Sequence, residues 1–167
     1  MQVKVCGLTS SNQVEVCVKY NANFCGFILN YPKSHRFINF DKAIELTNVE
    51  KNTTKFVGVL VNPTFDEFKK FSKLKIDYFQ IYGDFDTINI KDIKSKFKKK
   101  VIAALQIKKE KDILKYLKIK DSADIILWDS SGLEKSLSWN YEWINSVPNN
   151  IVKMIAGNID VKKLNKI

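Results

Sequence analysis

Short runs of β-branched and aromatic residues recur along the chain, and each is followed by a stretch whose apolar residues return every three or four positions. This alternation predicts parallel βα units. Seven strands are expected, over residues 3–6, 25–29, 55–61, 78–82, 101–106, 125–129 and 152–156. The helical stripe is clearest in Phe65, Phe68, Phe71 and Leu74, which follow Asn62-Pro63 and a capping-box pattern from Thr64 to Glu67. A helix over about 41–49 should turn Ala43, Ile44 and Leu46 inward, and another from about Lys111 should bury Ile113, Leu114 and Leu117.

Units spaced by roughly 20 to 30 residues suit a (β/α)8 TIM-barrel type fold better than a doubly wound sheet. No G-x-G-x-x-G follows the first strand. A closed barrel needs eight strands, and seven are present, with Ile167 falling shortly after the seventh. The expectation is therefore one (β/α)-barrel domain over residues 1–167 with its eighth unit missing, from a truncated gene product or an incomplete sequence. The first and seventh strands would then keep open edges, through which the chain could self-associate.

Composition narrows the class of protein. At 167 residues and 45% hydrophobic, the chain can bury a substantial core. No apolar run approaches the roughly 18 residues that span a bilayer, and no export signal opens the chain. The expectation is a cytoplasmic protein without a membrane partner. Three cysteines without C-x-x-C spacing argue against a disulfide framework and a zinc site, so Cys17 and Cys25 are expected as packing residues. The net charge of +10 is mostly lysine, thickest between Lys94 and Lys100, with Arg36 the only arginine. Nucleic-acid binders interleave arginine and aromatics on one face, so no nucleic-acid partner is expected; a small anionic substrate fits the same field.

In a (β/α)-barrel the working residues lie where strands end and βα loops begin. The first strand ends in Cys6, whose thiolate can act as a base, or which is simply a structural cysteine. After the second, Asn30-Tyr31-Pro32-Lys33-Ser34-His35-Arg36 projects a guanidinium suited to clamping a carboxylate, or to a surface salt bridge. His35, the only histidine, is expected to be solvated. Gln80 and Tyr82 alternate with Phe79 and Ile81, which sends both polar side chains to one face of the fourth strand. Asp129 ends the apolar sixth strand, where desolvation can hold a proton for general-acid work; capping the loop or pairing with a lysine is the alternative. After the seventh, the Gly157-Asn158 turn offers backbone N–H groups to a phosphate.

Taken in order, these segments resemble phosphoribosylanthranilate isomerase, a (β/α)8-barrel enzyme of tryptophan biosynthesis. Lys4-Val5-Cys6-Gly7-Leu8-Thr9 is similar to the family's K-[IV]-C-G-[LI]-T, and Gly26-Phe27-Ile28-Leu29 with Ser34-His35-Arg36 is similar to its G-F-I-F segment and S-P-R loop. Val57-Gly58-Val59-Leu60-Val61-Asn62 resembles V-G-V-F-V-N, Phe79-Gln80-Ile81-Tyr82-Gly83-Asp84 resembles V-Q-L-H-G-D, and Ile155-Ala156-Gly157 resembles L-A-G-G. Tyr82 stands where the family usually has histidine, His35 where it has proline, and Asn158 where it has a second glycine. The loop from Ser131 to Trp139 keeps parts of G-G-x-G-K-x-F-D-W.

The resemblance implies an Amadori rearrangement of N-(5-phosphoribosyl)anthranilate without metal or organic cofactor. It implies Asp129 as general acid, Cys6 as general base and Arg36 as the anthranilate-carboxylate ligand, with Gln80, Tyr82, Gly157 and Asn158 also touching substrate. Two other functions remain open at this point. One is a decayed or truncated barrel that binds a phosphorylated anion without turnover; the other is a basic nucleic-acid-binding module.

Overall fold

A computed structural model of the protein describes residues 1–130 and 137–160. Among these residues seven strands form one sheet: β1 (Lys4–Cys6), β2 (Phe24–Ile28), β3 (Lys55–Val61), β4 (Tyr78–Tyr82), β5 (Lys100–Ile107), β6 (Ile125–Ser130) and β7 (Lys153–Ile155). Every pairing is parallel and every neighbour is consecutive in sequence. That order is the signature of a (β/α)-barrel wall, since a doubly wound sheet reverses its strand order at a switch point. Among the described residues β1 pairs only with β2, and β7 only with β6.

The connections are α1 (Ser11–Lys19), α2 (Phe40–Thr47), α3 (Phe65–Phe71), α4 (Ile90–Phe97) and two 3₁₀ segments, Glu110–Lys118 and Tyr141–Ser146. Each α-helix begins on a side chain that accepts an otherwise unpaired backbone N–H: Ser10, Asn39, Thr64 and Asn89. The capping box expected between Thr64 and Glu67 is complete. No helix of the described residues is long and apolar enough to cross a membrane.

Side chains alternate across each strand, and the sheet separates two kinds of packing. One face meets the helices and carries the larger cluster, including Phe27, Phe56, Phe79, Ile81, Ile126 and Trp128, all essentially inaccessible to solvent. Phe27 stands edge-on to Phe56 at 5.4 Å between centroids, and Phe68 to Phe79 at 5.2 Å. The opposite face carries a smaller apolar cluster of Phe24, Val57, Tyr78, Ile102, Ala104, Ile125 and Leu127. In register with these, Lys4, Cys6, Gly26, Gln80, Tyr82, Gln106 and Asp129 occupy the same interior face.

Three details of the expected helical stripes are corrected. In α2, Ala43 and Leu46 are fully buried but Ile44 is 41% exposed. Thr47 takes the inward place one turn after Ala43, satisfying its hydroxyl on the Ala43 carbonyl at 2.7 Å. In α3, Phe68, Phe71 and Leu74 are buried, whereas Phe65 is half exposed at the helix entrance. There it packs on Phe97 at 5.4 Å and beneath the Lys96 ammonium.

The third correction follows from helix type. Leu114 and Leu117 are more than half exposed, while Ile113, Tyr116 and Ile119 are buried. Glu110–Lys118 is 3₁₀, so its inward face repeats every three residues rather than 3.6.

Candidate active site

The site begins with the short strand β1, which places Lys4 and Cys6 two residues apart on the interior face. Cys6 is in register with Gly26 of β2. A Cβ on Gly26 would lie 2.8 Å from the Cys6 Sγ and 2.9 Å from the Lys4 Nζ. Thiol and ammonium therefore converge over the surface that glycine leaves bare. Cys25, on the other face, is a different kind of cysteine: burial, then the neighbouring Cys17, pushes its thiol up to about 12. Cys25 is buried as expected, whereas Cys17 is only partly so.

The chain leaves β1 through Gly7, whose φ of +81° is a left-handed conformation open to glycine. The N–H groups of Gly7 and Leu8 both bond to the Gly26 carbonyl, at 2.8 and 3.1 Å. The Arg36 side chain lies across this turn, so close that a Cβ on Gly7 would sit 2.6 Å from its Cδ. Its Nη1 donates to the Cys6 carbonyl at 3.0 Å. Arg36 forms no ion pair with an acidic side chain among the described residues, and the residue is exposed. His35 beside it is exposed.

Across the interior face, Gln80 and Tyr82 of β4 point the same way, and Tyr82 reaches β6. The Gln80 Nε2 donates to the Tyr82 hydroxyl at 3.1 Å, and that hydroxyl donates to the Asp129 Oδ2 at 2.6 Å. The Ser130 N–H donates to the other carboxylate oxygen at 2.7 Å. Among the described residues the side-chain partner of Asp129 is thus a phenol. Burial, then the Asp129 charge, holds the Tyr82 phenol well above the usual tyrosine range, with Cys6 adding in the same direction. Tyr82 is therefore protonated at neutral pH and feels both Asp129 and Cys6.

At the end of β7, Gly157 (φ +106°) and Asn158 (φ +51°) are successive left-handed residues. A Cβ on Gly157 would meet Ser130 and the Leu137 carbonyl at 2.9 Å, so the loops after β6 and β7 touch here. The turn is fixed from outside: Trp139 Nε1 donates to the Ala156 carbonyl at 2.8 Å and the Tyr141 hydroxyl donates to the Gly157 carbonyl. The Asn158 Nδ2 donates to Ser138 Oγ at 2.9 Å. Residues 131–136 of the loop after β6, and residues 161–167, lie outside the described residues.

The structure thus gathers Cys6, Gln80, Tyr82 and Asp129 on one face, with Arg36 above β1 and Gly157-Asn158 at the end of β7. Sequence reasoning missed Lys4, Gly26 and the bond between Tyr82 and Asp129. The alternation that paired Gln80 with Tyr82 would have paired Lys4 with Cys6. A separate cleft of about 270 Å³ lies between the loop after β4 and the first 3₁₀ segment, lined by Gly83, Asp84, Asp86, Gln106 and Lys118. It contains neither Cys6 nor Asp129.

Known proteins resemble this chain in sequence and in fold. Residues 3–167 match the family model of N-(5'-phosphoribosyl)anthranilate (PRA) isomerase. The N-(5'-phosphoribosyl)anthranilate isomerase of Streptococcus mutans is 33% identical over 83% of this chain and 67% of its own length. That of Sulfurihydrogenibium sp. is 31% identical over 78% of this chain, which spans 61% of the relative. The crystal structure of phosphoribosyl anthranilate isomerase from Thermotoga maritima superposes with a TM-score of 0.84 at 22% identity, covering 99% of this chain and 81% of that one. A structure of the enzyme in complex with reduced 1-(o-carboxyphenylamino)-1-deoxyribulose 5-phosphate gives 0.81 at 22% identity, covering 99% and 80%. The barrel wall, the ordered strand-end residues and the match over nearly the whole chain establish that this protein belongs to the N-(5'-phosphoribosyl)anthranilate isomerase family.

Proposed function

We propose that this chain catalyses the Amadori rearrangement of N-(5-phosphoribosyl)anthranilate, an aldose–ketose isomerisation of cytoplasmic tryptophan biosynthesis. The observation that carries the reading is the shared interior face of Cys6 and Asp129, at the carboxyl ends of β1 and β6, with Tyr82 electrostatically in touch with both. Opening an aminoaldose and moving its C2 proton needs an acid at one atom and a base at another.

Asp129 gives its proton to the ribose ring oxygen while the C1–O bond breaks, and the anthranilate nitrogen's lone pair forms the C1=N iminium. Cys6 thiolate then takes the C2 proton, and the C2–H electrons close the enolamine. Tautomerisation moves a proton to C1 and leaves the C2 ketone. Arg36, exposed and held on the Cys6 carbonyl, takes the anthranilate carboxylate. The Gly157-Asn158 turn contributes to holding the phosphate, and Gln80 and Tyr82 line the interior wall beside the sugar. A ligand of this kind, with the carboxyphenylamino group and the 5-phosphate, is the one held by the solved relative.

The test is the loss of substrate fluorescence in the parent chain and in Cys6→Ala and Asp129→Ala. Each substitution should lower kcat by roughly 10²–10⁴-fold. Turnover retained in both variants overturns the assignment of acid and base. Calorimetric binding of a product analogue without any turnover by the folded parent would replace isomerisation with anion binding.

A further inference from the structure

Gln80 is 2% exposed, and its Oε1 is the buried side-chain oxygen or nitrogen that lacks a hydrogen-bond partner among the described residues. A buried amide oxygen left without a donor is costly, so its place beside the proposed acid calls for a reason. The direction of the neighbouring bonds supplies one. The Asp129 carboxylate accepts from Tyr82, which commits the single phenolic proton; the Tyr82 oxygen is then an acceptor and must be met by the Gln80 N–H₂. Gln80 Oε1 is thereby turned away from the chain of bonds.

We infer that Gln80 and Tyr82 form a reversible hydrogen-bond relay that positions Asp129 and reverses direction when Asp129 gains or loses its proton. The inference rests on the general-acid role assigned to Asp129 above. With Asp129 protonated, its O–H donates to the Tyr82 oxygen, the Tyr82 O–H donates to Gln80, and a half-turn of the amide presents Oε1 as the acceptor. Both contacts are kept in both states. No charge leaves the carboxyl group through the relay, because Tyr82 exchanges the direction of its proton and remains a neutral phenol. Tyr82 and Gln80 are positioning residues in this scheme, while Asp129 exchanges the proton with substrate.

Among the described residues, the bonds that make up the relay join these three side chains. On β1 the titratable side chains of the same face are Cys6 and Lys4, which converge over Gly26. On β5, Gln106 lies in register with Asp129 and carries no charge, and β7 presents Met154 and Ala156. Lys55 and Lys100 stand at the opposite, amino-terminal ends of their strands. The Ser130 N–H holds the second Asp129 oxygen and cannot reverse, so the reversible bond is the one to Tyr82.

The test is nuclear magnetic resonance of the full chain labelled in the aspartate carboxyl carbons, the tyrosine ring carbons and the glutamine side-chain amide, with Tyr82→Phe and Asp129→Asn used for assignment. In the parent chain, the Asp129 carboxyl, the Tyr82 phenolic carbon and the Gln80 amide should titrate with one midpoint. A Gln80 amide signal that stays fixed while Asp129 titrates overturns the relay, whether or not any variant folds. In Tyr82→Phe the hydroxyl that links the two groups is gone, so the Gln80 amide should stay fixed while the Asp129 carboxyl carbon responds to pH. A Gln80 amide that still follows Asp129 in the folded variant also overturns it.

Kinetics separates this inference from the reading beneath it. Tyr82→Phe should lower kcat roughly ten- to a hundredfold with KM nearly unchanged, and parental kcat in that variant sinks the relay while leaving isomerase activity intact. A parent chain without turnover sinks the isomerase reading, and the titration then still decides the relay.

Discussion

Gly26→Ala adds one methyl group at the point where the proposed base and its neighbouring cation meet. The new Cβ would lie 2.8 Å from the Cys6 Sγ, 2.9 Å from the Lys4 Nζ and 3.4 Å from the Cys6 Cα. Ordinary non-bonded contact requires about 3.5–4.0 Å, so the thiol must retreat by roughly 0.7–1.2 Å. The Lys4 ammonium ends a flexible chain and can swing aside, whereas Cys6 has one side-chain torsion on a strand three residues long. Overpacking of this kind costs about 1–2 kcal/mol of stability. A displacement near 1 Å at a reacting atom costs about 10²-fold in rate.

The expected outcome is a folded variant with kcat reduced about a hundredfold and KM within about threefold, because neither Arg36 nor the Gly157 turn is touched. Substrate fluorescence gives the kinetic constants, and urea unfolding gives the stability. Gly58→Ala is the control: its Cβ would strike Leu29 and Ile76 at 2.8 and 2.9 Å on the helix-facing side. It should lose about 1–3 kcal/mol and keep its kcat. Parental kcat in Gly26→Ala, or an equal fall of kcat in both variants, would refute the claim that the interior of β2 is kept bare for the thiol.

Three further outcomes are expected. Arg36→Lys keeps the charge but loses the planar fork, so KM should rise roughly tenfold or more with kcat little changed; substrate titration by fluorescence checks it, and an unaltered KM removes the carboxylate clamp. Trp128→Ala empties a fully buried site and breaks the bond from Nε1 to the Ile113 carbonyl at 3.3 Å; chemical unfolding should show a loss of about 3–5 kcal/mol.

Asp112 gives a pH-dependent signal. Burial alone would raise its pKa, but N–H bonds from Lys108 and Lys109 and the Lys115 ammonium outweigh it and hold the carboxyl below its usual value. A depressed folded-state value contributes stability above the unfolded pKa of about 3.9 and loses it as pH falls through the folded value. Asp112→Asn should therefore be less stable than the parent at neutral pH, with the gap narrowing below about pH 4. Denaturant midpoints across this range read it directly, and a gap independent of pH contradicts the sign.

The strands were legible because burial on one or both faces imprints their residue types, and those over 55–61 and 78–82 match in both ends. Others shifted by a residue or two, as at β2, which begins at Phe24 rather than Cys25. Helix type was not legible in the run from Glu110, because Leu114 and Leu117 satisfy an α-helical stripe as well as Tyr116 satisfies a 3₁₀ one. The strand ends were legible because alternation along a strand assigns Cys6, Gln80, Tyr82 and Asp129 to one face. The contact between Tyr82 and Asp129 joins strands 47 positions apart, and local pattern contains no information on which interior side chains meet. Gly26 was read as part of a motif, but its role lies in an absent side chain, visible only once Lys4 and Cys6 are placed over it.

The two faces of the sheet also bear on how such a protein can change. Phe79 and Gln80, or Trp128 and Asp129, are neighbours in sequence, yet one member of each pair packs on helices and the other faces the interior. Substitutions that alter which ligand is accommodated can accumulate on one side while the larger aromatic layer continues to set the melting temperature. Evolution of specificity is thereby uncoupled, residue by residue along a single strand, from loss of the fold. The same spacing lets an engineer diversify interior positions of β1, β4 and β6 together without disturbing the layer that keeps the chain folded.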